Sequence, residues 1–138
     1  MKKLLIRTGV VWFLIAIPLL SGCASVNSVR AAPEFKGEER LFDVSYEHMV
    51  GTVETMLPLL GLENVDKQSN DPRITVFVGT HGVTAASWGE VVRVIVTEVD
   101  VAKTSVRVYW RSKFRDGLIT SAPDWNEEVF AGIEERVF

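Results

Sequence analysis

A single cysteine, Cys23, occurs in 138 residues, so no intrachain disulfide can staple this chain and no thiolate pair can hold a metal. Histidine is nearly as scarce. His48 and His81 stand apart, outside any H-E-x-x-H or C-x-x-C context, and metal coordination is unsupported. Ser87, in Ala85-Ala86-Ser87-Trp88-Gly89, does not sit in a nucleophile elbow, and no phosphate-cradling glycine loop occurs. Glu90, Glu98 and Asp100 are scattered, with no spacing that fixes an acid/base pair. No catalytic residue, metal ligand or cofactor is therefore assigned. An excess of cations is missing too: 15 Lys plus Arg face 18 Asp plus Glu, which discourages nonspecific nucleic-acid binding. Internal repeats and low-complexity blocks are absent from the sequence.

What is present begins at the N-terminus. Lys2, Lys3 and Arg7 precede an apolar run from Thr8 to Leu20. The run contains Pro18 and falls short of the roughly 20 apolar residues a membrane span requires. Its length suits the ~7–15-residue apolar region of a secretory signal. Leu20-Ser21-Gly22-Cys23 closes the run and resembles a bacterial lipobox. The resemblance implies that residues 1–22 are a signal peptide cut between Gly22 and Cys23, and that Cys23 carries lipid. Processed bacterial lipoproteins carry several acyl chains, and each buried CH₂ adds about 0.8 kcal/mol of membrane affinity. Ala24 follows Cys23, whereas enteric-type lipoproteins kept at the inner membrane usually have Asp there. The resemblance thus implies the periplasmic face of the outer membrane, with the inner membrane as the alternative. Loss of Lys2, Lys3 and Arg7 with the leader would take the net charge from −3 to about −6.

Residues 23–40 read as the lipidated cysteine and a flexible linker, poor in large apolar side chains and containing Pro33 and Gly37. As a coil this linker would span about 20–25 Å. An open alternative is that Glu38 to Val44 adds an edge strand. Residues 41–138 have the length of one domain.

Tyr46, Met49, Val50, Val53, Met56, Leu57 and Leu60 recur at helical spacing behind Ser45, a suitable N-cap. Pro58 predicts that the regular helix ends near Met56 or Leu57. A short strand is expected over Leu62–Val65, then a turn at Ser69-Asn70-Asp71-Pro72. Period-two alternation predicts strands over Arg73–Thr80, Trp88–Val99 and Thr104–Arg111. Register favours an odd-numbered loop, Val101-Ala102-Lys103, between the last two and disfavours a two-residue turn at Val101-Ala102. Arg115-Asp116-Gly117 reads as a turn and Leu118–Thr120 as a further strand. Asp124 heads a second helix with Trp125, Val129, Ile133 and Val137 on one face. The fold class expected is α+β: a two-layer sandwich whose antiparallel sheet, of three to five strands, carries two helices on one face. The layout resembles the small α/β domains of proteobacterial envelope lipoproteins, including modules of outer-membrane assembly factors.

The sheet face turned away from those helices is expected to show Phe77, Arg93, Arg107, Tyr109 and Arg111, with Ile95 among them and Lys113 and Arg115 continuing the basic run. Guanidinium groups around an aromatic ring suit acidic loops, anionic head groups or glycan phosphates. This face is the candidate binding surface, and the alternative is an ordinary solvated sheet face. The leading functional expectation is a noncatalytic binding or structural lipoprotein, joined to the membrane through Cys23 and to an envelope protein partner. One alternative is a small-ligand or lipid-binding domain with a cavity near Trp88, Trp110 and Trp125. A second is a hydrolase built around His81 and Ser87.

Overall fold

A computed structural model describes residues 25–84, 89–113 and 123–138. Gly22, Cys23, Ser87, Trp88, the Arg115-Asp116-Gly117 turn and the Leu118–Thr120 strand lie outside the described residues. The element order is α1 (Val26–Arg30), β1 (Glu38–Phe42), α2 (Tyr46–Leu59), β2 (Glu63–Asp71), β3 (Ile74–His81), β4 (Glu90–Asp100), β5 (Lys103–Ser112) and α3 (Trp125–Val137). Among the described residues the five strands make one antiparallel sheet in the order β1-β5-β4-β3-β2, and the fold is α+β. Strands β2 to β5 form a meander and β1 joins beyond β5, so α2 carries the chain from one sheet edge to the other.

The stripe on α2 is buried as its spacing requires. Met49, Val53, Met56 and Leu57 enter the main core, with Tyr46, Val50 and Leu60 packed against it. Ser45 is the N-cap in an extended conformation, but its side chain makes no capping bond. The helix passes Pro58 to end at Leu59. In the last turn the proline forfeits only the bond to the Glu54 carbonyl, on an exposed stretch, which explains why it does not stop the helix earlier. On α3, Trp125, Val129, Phe130 and Ile133 join the same core, and the Asp124 side chain accepts a hydrogen bond from the Asn126 N–H at 3.0 Å. Gly132 permits the close approach of α2, since a Cβ there would lie 2.7 Å from Met56 Sδ.

The sheet contributes Phe77, Val92, Val94, Val96, Val106 and Val108 to this core. Phe77 belongs to this face and not, as alternation suggests, to the opposite one. It lies directly across from Val94, while Val76 and Val78 lie across from Ile95 and Arg93. Both side-chain rows of β3 are largely apolar, so alternation within the strand could not choose between them; its register against β4 does.

Three boundaries also differ from the sequence expectation. β2 runs through Ser69 and Asn70 to Asp71, with two register breaks against β3. As an exposed edge strand it has almost no apolar alternation to reveal it. Between β4 and β5 the two-residue turn Val101-Ala102 does form, with Asp100 paired to Lys103 and the Asp100 carboxylate accepting from the Ala102 N–H at 2.8 Å. A bulge between Glu98 and Asp100 absorbs the odd residue, so that Val94 and Val96 still face Val108 and Val106. Finally, the stretch expected to be a flexible linker is folded from Ser25 onward, into α1, a turn closed by Lys36 N–H to Pro33 O at 3.0 Å, and the edge strand β1.

Entry into β1 depends on Gly37, whose φ is +105° and whose missing Cβ would fall 2.1 Å from the Val108 carbonyl oxygen. Beyond it, Arg40 reaches Glu38 and Glu127 at 3.0 and 2.9 Å and lies 4.3 Å over the Phe130 ring, tying β1 to α3. The corrected position of Phe77 has a measurable cost. Phe77→Ala should destabilise the domain by about 3–5 kcal/mol in urea denaturation, whereas a surface aromatic would change it by only about 0.5 kcal/mol.

Candidate functional site

The side of the sheet that carries Arg93 is covered by the chain's own N-terminal segment. Ser25 and Ser28 cap α1 reciprocally: the Ser25 hydroxyl accepts the Ser28 N–H at 3.1 Å and the Ser28 hydroxyl accepts the Ser25 N–H at 2.9 Å. A helix of five residues is not stable alone in water, so its persistence has to come from the sheet beneath. Val29 supplies the apolar part, fully buried against Val78 and Val91, with Val26, Val76 and Tyr109 packed around them.

Arg93 supplies the polar part. Only 2% of it is exposed. Its Nη1 donates to the Val29 carbonyl at 3.1 Å, to Arg30 O at 3.4 Å and to Ala32 O, while Nη2 donates to Pro33 O at 2.9 Å. These carbonyls lie at and just beyond the end of α1, where helical partners run out, although Val29 O also accepts the Ala32 N–H at 3.3 Å, and a cation there also meets the negative end of the helix dipole. Tyr109 places its ring 5.2 Å from the guanidinium carbon. Burial pushes the Arg93 pKa down from its ordinary value, with Tyr109 and Glu34 acting in the other direction. An arginine nevertheless stays charged in a protein. Among the described residues Nε is buried without a hydrogen bond, so the fork at the end of the side chain makes the polar contacts described.

The expected binding face is therefore divided. Phe77 is in the main core on the other side of the sheet, and Arg93 and Tyr109 hold α1. Arg107 is engaged along the rim of that cover, with Nη2 2.7 Å from Glu39 Oε2 and Nη1 donating to Phe35 O at 3.0 Å. Ser105 donates to the same Glu39 carboxylate. Arg111 is exposed, and Lys113 Nζ reaches the His81 carbonyl at 3.3 Å. Of the proposed surface, Arg111 and the outer edge of Arg107 still face solvent. Alternation grouped Arg93, Arg107, Tyr109 and Arg111 on one side but put Phe77 there too, and it carried no sign that residues 25–33 lie over them.

A second arrangement sits where β3 ends and β4 begins. His81 and Glu90 are register partners, with Nδ1 2.8 Å from Glu90 Oε2, and Glu90 is fully buried. The His81 ring meets Trp125 edge-on at 5.2 Å between centroids. Gly89 takes φ +94° to bring its backbone beside the His81 carbonyl. His81 is the last residue of β3, partly covered, and His48 is exposed on α2. A carboxylate bound to one imidazole nitrogen fixes the ring and leaves the second nitrogen to act as base or ligand. Among the described residues no group of three or more His, Cys, Asp or Glu side chains is placed to hold a metal ion. Trp125 is buried in the core and Trp110 packs against it. The pairing of His81 with Glu90 follows from the β3–β4 register, the same information that places Phe77.

The α1 clamp makes a quantitative demand. Arg93→Met should lower stability by about 2–4 kcal/mol, since the carbonyls of Arg30, Ala32 and Pro33 lose their Arg93 donor beneath a covered face and Val29 O keeps only the Ala32 N–H. Amide exchange over residues 26–33 should accelerate more than exchange over α2. Arg93→Lys should recover only part of the loss, because an ammonium cannot reproduce the planar fork. No protein-family model matches the chain, and no curated protein is similar to it.

Proposed function

We propose that the protein is a lipid-anchored envelope lipoprotein, held through Cys23 at the periplasmic face of the outer membrane and acting as a noncatalytic binding or structural module. The observation that supports this reading is an adjacency. The lipobox-like Leu20-Ser21-Gly22-Cys23 is separated by the single residue Ala24 from Ser25, and Ser25 caps the first helix of the folded domain. Signal removal before Cys23 would therefore leave every described element, from the α1 N-cap onward, in the mature chain. In this reading α2 and α3 form the layer on the Val94 side of the sheet and α1 covers the Arg93 side. Arg111, together with the edge of Arg107, remains the basic patch for an acidic envelope partner.

A second reading, ligand capture or hydrolysis at His81, is favoured by one observation, the buried Glu90 that orients its ring. His81→Gln would abolish turnover or ligand retention on that reading and leave partner recovery intact on the first.

Two variants test the anchor and the patch separately. Cys23→Ala should move the protein from the membrane fraction to the soluble fraction, checked by fractionation and by the mass of the Cys23 peptide. Arg111→Glu should reduce crosslinked recovery of a dominant envelope protein while leaving thermal unfolding unchanged. Unchanged recovery removes the patch from the proposal, and an unmodified Cys23 removes the anchor.

A further inference from the structure

The folded state of residues 25–40 changes how an anchored domain must stand on its membrane. A coil over this stretch would hold the domain about 20–25 Å from Cys23. Instead, Ala24 is the one residue between Cys23 and the α1 N-cap. Two peptide steps span at most about 7 Å, and the interfacial layer of a leaflet is itself roughly 5–7 Å deep. The N-terminus of α1 therefore has no length of chain with which to leave the headgroup region. Nor can α1 swing out as a tether while it stays docked, because Val29 and Arg93 fasten it to β3 and β4.

Resting on the anchor reading, we infer that the α1-bearing side of the sheet lies flat against the lipid surface. Two large apolar side chains face outward near this cover: Phe35, 73% exposed, in the turn after α1, and Leu41, 61% exposed, on β1. The Phe35 carbonyl is held by Arg107, and Leu41 is the register partner of Ser105, which places both beside the Arg107 row on the Arg93 side. Exposed Lys36 adjoins Phe35 and can reach lipid phosphates while its stem stays against the apolar layer. Glu34 and Glu39 limit the net charge of the surface, with Glu39 already neutralised by Arg107. Contact thus depends on the enforced proximity of the anchor and on shallow apolar insertion more than on anionic lipid. The occupant of this face is the bilayer: Arg111, on the same face through its pairing with Val91, then meets lipid phosphates in place of the acidic partner proposed above, and protein partners are left to the opposite side and the sheet edges.

The experiment uses the full chain purified from membranes with its Cys23 modification verified by mass. It is reconstituted in phosphatidylethanolamine/phosphatidylglycerol vesicles and carries a nitroxide at Phe35→Cys, Leu41→Cys or, as control, Leu59→Cys on α2. Labels at positions 35 and 41 should collide severalfold less with aqueous nickel chelate and severalfold more with oxygen than the label at 59. Inserting a dozen Gly/Ser residues between Ala24 and Ser25 should return positions 35 and 41 to the values of 59. Equal aqueous collision at all three positions in a lipidated protein would overturn flat docking and leave the anchor standing. An unmodified Cys23 would overturn the anchor, and the docking with it. Low aqueous collision at 35 and 41 that survives the insertion would show shielding by the protein itself and would also overturn the docking.

Discussion

A guanidinium with no carboxylate hydrogen-bonded to it among the described residues, buried between a sheet and five helical residues, has to be balanced by dipoles. Arg93 meets that requirement with four carbonyls at the end of α1 and a tyrosine ring. Taking such a cation out of water costs several kcal/mol, and the carbonyls are equally costly to bury unpaired. Each therefore needs the other. The sheet cannot keep Arg93 covered without α1, and α1 is too short to exist without the sheet. The rest of the N-terminal segment follows from this lock: the turn at Pro33–Lys36, the glycine that lets the chain reach Val108, and β1 along β5.

On the other side of the sheet the organisation is more ordinary. Valines from β4 and β5, with Phe77 from β3, meet the stripes of α2 and α3 in one apolar core. The two sides are thus stabilised by different means. One is close-packed hydrocarbon, tolerant of conservative exchange; the other is a small apolar contact around Val29 joined to one polar clamp, which loses most of its function with a single residue. Local opening should be easiest at α1 for the same reason.

The sequence makes α2, α3 and the central strands legible, because Met49 to Leu57, Trp125 to Ile133 and Val92 to Val96 declare their periods directly. Other features lack such a signal. β2 has Val65 as its one partly buried residue and reads as a turn-rich stretch. α1 shows a lone buried valine among serine and asparagine, and it becomes a helix through contacts some 60 positions away in the chain. Arg93 on an alternating strand looks solvated because nothing local announces a lid. Phe77 was misplaced because Val76 and Val78 are as apolar as it is. The candidate site was legible only as a set of residue types; which of them stay exposed depends on tertiary contacts that periodicity does not encode.

The irregularity of β2 has a consequence for neighbouring copies of the chain. It is one of the sheet's two margins, and a regular margin would offer its free backbone groups to any passing strand. Two register breaks interrupt that row, and Glu63, Asp66, Lys67 and Asp71 line it with charges of both signs. Molecules confined to a plane and oriented alike would meet edge to edge far more often than molecules tumbling in solution. Were the chain anchored as proposed, a margin that cannot be copied strand upon strand would keep such a crowd from polymerising.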